Sequence, residues 1–360
     1  MRILIVSGAG GGTSTKSVGK YFHLREFGET LKKYNVEYRL VNELDYVVGF
    51  PTKQLKKYFT TRNKIKKLVN DFKPDLVFID RQGYFGLEIL KMKIPLFVLL
   101  RGHYWSEIEY AKNTIYKNKI MQKVIDSRKK IAEKVFAEST EILPICNYLK
   151  NIVKEYHPTQ KSSVFIEGVD SVKWYKTKGM KLEHPCVGLL QDANWWRKTK
   201  EMLTLEKTIQ AMPKVHFYWA GDGQYKHEIL KVLDRFENFH WLGSLSYPEK
   251  VRDYLSELDI YAIITGMDTT PLSLKEAQLM ENPVIATNVG GNSEIMIDGK
   301  TGYLVEKGNY NDIITKISIL VDKKELAIKM GKEGRKFIEK EFSLDASVKN
   351  FLKIVKPYVN

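Results

Sequence analysis

Residues 8–17 read GAGGGTSTKS, between the strand-like MRILIVS and a helix-like stretch. Glycines placed between a strand and a helix bring backbone N–H groups up to phosphate oxygens. The stretch is one residue away from the GxxxxGK[ST] loop of nucleoside-triphosphate enzymes. Gly10 fills the first glycine slot and Lys16–Ser17 the last two, but Thr15 stands where the second glycine belongs. Asp80, ending the apolar run DLVFID, imitates the aspartate that such sites use to hold a metal. The missing glycine is the one that lets the backbone wrap a β-phosphate. The loop therefore reads as a holder of a phosphorylated ligand, a nucleoside triphosphate or another.

The elements that position this loop follow an alternating pattern. Apolar runs alternate with amphipathic segments, which marks an α/β chain with parallel sheets. RILIVS is a first strand, and a helix runs from about Val18 to Tyr34 with Phe22, Phe27 and Leu31 among its apolar positions. VEYRLV, DLVFID, PLFVLLR and EILPIC follow as strands, and a helix ends at Phe72 before Pro74. Near residue 165 the pattern restarts with SVFIEG, then PCVGLLQ, VHFYWAGDG, FHWLG, DIYAIIT and PVIATN. Two α/β units of similar size predict two Rossmann-like domains facing each other across an interdomain cleft, with ligands beyond the carboxyl ends of the strands. FSLDASVKNFLKIVKPYV reads as a closing amphipathic helix.

Length and composition narrow the class. The chain has 360 residues, 43% hydrophobic and 28% charged, which suits two globular domains. The apolar start is too short for a signal peptide, and no run of about 18 apolar residues is present. Cys146 and Cys186 form no CxxC pair and no His/Cys cluster, so two buried thiols in a reducing compartment are expected. The net charge is +15, and it is uneven. Residues 1–167 hold 30 Lys+Arg against 17 Asp+Glu, whereas the rest of the chain is nearly balanced. Segments 53–67 and 112–130 interleave Lys and Arg with aromatic and aliphatic residues at helical spacing, which suits basic amphipathic helices on an anionic membrane or on nucleic acid, or solvated helix faces with their apolar stripe in the core.

Four segments of the second half, in order, carry a family resemblance. They are FIEGVDSVKWY (165–175), AGDGQYKHEI (220–229), the long stretch MDTTPLSLKEAQLMENPVIATNVGGNSEIMIDGKTGYLV (267–305), and MGKEGRKFIEKEFS (330–343). Together they resemble the retaining, nucleotide-sugar-dependent glycosyltransferases of family 4 (group 1), which have the GT-B fold. The resemblance implies an N-terminal acceptor domain over residues 1–167, joined by the C-terminal helix 344–360, and a nucleotide-sugar donor domain over 168–343.

The resemblance also implies roles. Glu276 takes the ribose hydroxyls, which a carboxylate near a helix start can do by accepting two protons. Asp268, where the family has glutamate, holds hydroxyls of the donor sugar. Thr269, Thr270, Pro271 and Leu272 replace the family's Gly-Phe-Gly-Leu. Pro271 offers no N–H, so Leu272 and Ser273 are the expected backbone donors. Lys198 takes the place of the diphosphate-neutralising lysine, with Arg197 beside it, while Leu189 stands in the family's arginine slot. Gly221, Asp222 and Gly223 form a tight turn after a strand. In the front half, Gly19 matches the family's phosphate-facing glycine, and Gly12 lies in an extension of the same loop. His103, in PLFVLLRGHYWSE, is placed against the transferred sugar, with Asp80 and Arg101 on the acceptor side.

The expected activity is transfer of a hexose, with retention, from a UDP- or GDP-sugar to a glycan or lipid-linked acceptor. No cofactor, metal or nucleic acid is expected. The chain would be cytoplasmic, with peripheral attachment to the inner face of the membrane through its basic domain. A nucleotide-sugar epimerase-like enzyme, a non-catalytic surface-binding protein and a P-loop NTPase are the competing readings.

Overall fold

The structure is a computed structural model that describes residues 1–8, 18–47 and 55–359. The chain divides into two compact units, Met1–Gly168 with Leu344–Asn360, and Val169–Ser343. Each is built on one parallel sheet.

In the first unit the strands are β1 (Arg2–Ser7), β2 (Glu37–Asn42), β3 (Leu76–Ile79), β4 (Leu96–Leu100) and β5 (Glu141–Pro144), in the order β2-β1-β3-β4-β5. LVFI of β3 and LFVLL of β4 are buried throughout, as parallel strands covered on both faces must be. The helix Leu55–Phe72 ends where Lys73 takes a left-handed φ of 48° just before Pro74. The helix Leu344–Val355 returns to this unit. Its Phe351 is fully buried among Phe27, Phe78, Phe97 and Phe165, at ring distances of 4.9–6.3 Å. Burying such a ring contributes roughly 1.5–3 kcal/mol.

The second unit has β6 (Cys186–Leu190), β7 (His216–Ala220), β8 (Phe239–Gly243), β9 (Ile260–Ile263), β10 (Val284–Thr287) and β11 (Gly302–Val305). Their order, β11-β10-β9-β6-β7-β8, reverses direction between β6 and β9. That reversal opens the sheet's carboxyl edge there, and ligands of such sheets bind at this point. The first sheet has its own reversal between β1 and β3.

Three local expectations differ from the structure. SVFIEG (163–168) is not a strand of the second unit. Phe165 packs into the first unit's core, and Ile166 is tied to that unit's last helix through Asn350 and Ser347. Segment 112–130 is not one helix: Thr114 ends one, and Asn118 caps the next (Lys119–Glu138) by accepting from Ile120 N at 2.8 Å. Phe22 is 40% exposed, with Arg25 over its ring, rather than facing the core. β11 is an additional strand that the apolar pattern of GYLV is too short to announce.

Candidate functional site

The loops after β6, β7, β9 and β10 form the carboxyl edge of the second sheet. Gln191, the first residue after β6, is buried and spans the reversal. Its amide donates to Ile264 O at 3.1 Å and accepts from Ile264 N at 3.2 Å. Trp219 Nε1 donates to Gln191 O at 3.0 Å. This network fixes how the first loop leaves the sheet, on which everything beyond it depends.

The turn Gly221-Asp222-Gly223 follows β7. Gly223 has φ of +151°, and a Cβ there would lie 2.5–2.9 Å from the Ala193 backbone. The β6 and β7 loops therefore touch backbone to backbone, with Ala193 N donating to Asp222 O at 2.9 Å. Asp222 accepts from Gly223 N at 2.7 Å and pairs with Lys226 at 3.1 Å. Those two interactions hold its carboxyl below the usual range. A cavity of about 580 Å³ opens at these loops, lined by Gln191, Asn194, Gly221, Asp222 and Leu245 among others. That volume suits a small polar ligand.

Lys198 lies on the short helix Trp196–Thr199, and its Nζ is 2.7 Å from Asp268 Oδ2. Burial opposes the charge of Lys198, but Asp268 and Asp192 more than offset it and hold the pKa above its ordinary value. The adjacent Arg197 is exposed. Asp268 is oriented from behind: Thr269 N donates to its Oδ1 at 2.9 Å, and Gly291 N donates to its carbonyl at 3.3 Å. Gly290 makes this approach possible. It has φ of +56°, and a Cβ there would fall 1.8 Å from Asp268 O.

The helix Leu272–Leu279 begins directly after Pro271. Leu272 is its first residue, and the next, Ser273, accepts through Oγ from Tyr261 OH at 2.8 Å. Glu276 is buried and accepts from Tyr247 OH at 3.1 Å. Burial pushes the Tyr261 phenol up, and Glu276 and Asp268 add to the effect, so both carboxylates lie close to one phenol. Thr270 Oγ1 is buried with no hydrogen-bond partner among the described residues. The fold thus gathers Lys198, Asp268, Ser273 and Glu276 around one loop and helix start. It sets Gly221, Asp222 and Gly223 on the neighbouring turn.

The first unit has its own group at the carboxyl edge. Arg101, after β4, is clamped between two carboxylates: Nε is 2.9 Å from Asp80 Oδ1, and Nη1 is 2.9 Å from Glu167 Oε1. Although burial opposes it, the two carboxylates raise the pKa of Arg101. Asp80 is thus occupied by a guanidinium. His103 caps the helix Tyr104–Thr114, its Nδ1 accepting from Ser106 N at 3.3 Å. A neutral His103 in that role carries its proton on Nε2. Glu43, just past β2, has its pKa raised to about 7 by burial, against the opposing pull of Arg81 and of a hydrogen bond from the Phe85 backbone. Gly19 lies in the first turn of the helix Val18–Lys32. Gly12, Lys16 and Ser17 lie outside the described residues.

Gln191, Tyr247, Tyr261, Glu43 and Glu167 are additions to what motif reading finds. Tyr247, Tyr261 and Glu167 act on Glu276, Ser273 and Arg101 from other segments, and Gln191 bonds Ile264 across the sheet, none of which linear spacing can reveal. Glu43 is half-buried near Arg81 and Asp80, and its raised pKa distinguishes it.

Comparison with known proteins follows the same division. Residues 187–323 match the model of the family described as Glycosyl transferases group 1. An uncharacterized glycosyltransferase of Methanocaldococcus jannaschii is 29% identical over 220 residues, which cover 60% of this chain and 59% of that one. The match thus spans less than two thirds of that relative. Sucrose-phosphate synthase of Thermosynechococcus elongatus superposes with a TM-score of 0.77 at 13% identity, over 99% of this chain and 98% of that one. The HepE protein of Anabaena, solved in complex with UDP-glucose, superposes with a TM-score of 0.69 at 13% identity, over 99% of this chain and all of that one. Residues 187–323 of the second unit thus match the group 1 glycosyltransferase model, and the whole chain has the GT-B fold of its structural neighbours.

Proposed function

We propose that this chain is a retaining glycosyltransferase that moves a hexose from a UDP- or GDP-sugar to a glycan or lipid-linked acceptor. The observation that carries the reading is the Lys198–Asp268 pair at the sheet's reversal, with the buried Glu276 on the adjoining helix. Glu276 accepts the two ribose hydroxyls and exchanges its Tyr247 partner for them. Lys198, with Arg197 beside it, and the N–H groups of Leu272 and Ser273 neutralise the diphosphate as it leaves. Asp268, relieved of Lys198 when the diphosphate arrives, turns to the sugar hydroxyls. Gly221, Asp222 and Gly223 shape the nucleotide pocket. Retention follows if the leaving phosphate takes the acceptor proton on the face it vacates, so no protein nucleophile is required.

The first unit takes the acceptor, with Asp80 and Arg101 setting its carboxyl edge, His103 directed to the transferred sugar, and Gly12 and Gly19 to the phosphates. Ile115 and Ile120 are 60% and 70% exposed, among Lys117, Lys119 and Lys123, which supports peripheral attachment to an anionic membrane from the cytoplasmic side. No helix among the described residues is long and apolar enough to cross a membrane.

Calorimetry with UDP, GDP, ADP and ATP, with and without Mg²⁺, tests the reading. UDP comes first because a structural neighbour was solved with UDP-glucose. Selective, metal-independent binding of one nucleoside diphosphate is expected. Magnesium-dependent binding of ATP alone would overturn it in favour of the P-loop alternative.

A further inference from the structure

The amino ends of the second sheet carry a separate group of side chains. Glu183 precedes β6, His216 opens β7 and His240 lies in β8, and one ligand atom from each fits within 4.8 Å of the others. His216 Nδ1 and His240 Nε2 are 3.2 Å apart. Two nitrogens on one tetrahedral zinc, each about 2.0–2.1 Å from it, lie roughly 3.3 Å apart. The pairing of β7 with β8 therefore sets the spacing that two zinc-bound imidazoles need. The rings are 15° from parallel with centroids 5.5 Å apart, so the two nitrogens face one another almost in line. Metal binding there requires the proton of the His216–His240 hydrogen bond to leave and each ring to turn about its Cβ–Cγ bond so that the two lone pairs converge.

Tyr218 organises the group. Its ring stacks on His240 at 4.6 Å, and its hydroxyl accepts from Glu183 N at 2.9 Å. The Glu183 backbone is thereby pinned, while its side chain is 72% exposed and swings from a point 3.6 Å from His216 Nε2. The three residues come from three segments, so the set exists only in the folded sheet. Imidazole with one carboxylate suits zinc, whereas calcium and magnesium favour all-oxygen sets. The nearby His184, Cys186 and Asp259 are a closed network: Asp259 Oδ2 already holds Cys186 N at 2.8 Å and His184 Nδ1 at 2.7 Å.

We propose that Glu183, His216 and His240 bind one Zn²⁺, with a fourth position left for water, at the sheet end opposite the nucleotide loops. The site stabilises the β7–β8 edge and is independent of the glycosyltransferase reading. The test uses the untagged full chain, stripped with a chelator and titrated with Zn²⁺ against a chromophoric competitor. One zinc per chain is expected. His216→Ala and His240→Gln should each lower affinity by at least about 10-fold, and Tyr218→Phe by up to about 10-fold. Zinc should raise the thermal midpoint of the wild type and leave that of His240→Gln unchanged. Co²⁺ in place of zinc should give d–d bands with no thiolate charge-transfer band. Equal zinc affinity in the wild type and the His216→Ala/His240→Gln double variant would overturn the proposal. So would a charge-transfer band lost in Cys186→Ser.

Discussion

Lys198 and Asp268 meet at 2.7 Å from the loops that leave β6 and β9, the two strands between which the second sheet reverses. The pair is only partly buried, with side-chain exposures of 22% and 10%, and each charge is the other's partner until a ligand arrives. Under the proposed function, an anionic diphosphate would compete with Asp268 for Lys198, and a neutral sugar would compete with Lys198 for Asp268. The two deletions must therefore differ.

Lys198→Met should weaken binding of both the nucleoside diphosphate and the nucleotide sugar by roughly 10- to 100-fold, the range for a hydrogen bond to a charged group. Asp268→Asn should leave diphosphate binding equal or tighter, because Lys198 loses its competitor, while transfer falls at least 10-fold in kcat. Calorimetry with the diphosphate, alongside kcat and KM with the sugar donor, separates the two. Parallel losses in both variants would show that the pair is purely structural.

Glu276 is the second discriminating position. It is a buried carboxylate held by a bond from Tyr247, and under the proposed function it would accept the two ribose hydroxyls. Glu276→Ala should abolish or greatly weaken nucleotide binding, and Tyr247→Phe should change it by only a few-fold. The 2′-deoxynucleotide supplies an internal control: it should bind the wild type more weakly and Glu276→Ala no differently from the ribonucleotide. Unchanged affinity in Glu276→Ala would remove this assignment.

Asp268 and Glu276 were legible in the sequence because they sit within one continuous stretch, 267–305, whose spacing survives without a fold. The strands were legible for a related reason, since parallel strands covered on both faces read as unbroken apolar runs. What was not legible depends on distant segments. Gln191 earns no notice until Ile264 lies opposite it, 73 residues on. The Arg101 clamp needs Glu167, which the sequence pattern assigns to a new strand but the fold keeps in the first unit. His216 and His240 are 24 residues apart and form a pair only across two strands. The glycine loop 8–17, prominent in the sequence, falls largely outside the described residues.

Gly290 links backbone conformation to this site. Its left-handed φ of +56°, together with the 1.8 Å that would separate a Cβ at this position from Asp268 O, leaves no room for a side chain. Gly290→Ala should lower stability by about 1–3 kcal/mol and displace the Asp268 loop. Donor KM or kcat should therefore worsen at temperatures well below the melting transition. Gly299→Ala, also at positive φ but with no atom within 4 Å of its Cβ, is the control for backbone strain alone. Equal effects on donor kinetics in the two variants would sever the link to Asp268.

Glu43 gives the first unit a pH-dependent stability. Its pKa is raised from 4.5 to about 7, mainly by burial, so the folded state holds the proton more tightly than the unfolded chain does. Stability is then fully present below about pH 4.5. It falls as pH rises toward 7, and the loss is complete above that, amounting to roughly 3 kcal/mol. Glu43→Gln keeps the shape and removes the titration. Its thermal midpoint should match the wild type near pH 4.5 and exceed it near pH 8, with the gap opening between the two. The opposite sign, a variant less stable than the wild type at pH 8, would mean that the ionised carboxylate is favoured in the fold, with the Arg81 charge outweighing burial. Melting curves of both proteins across this range, at constant ionic strength, decide between them.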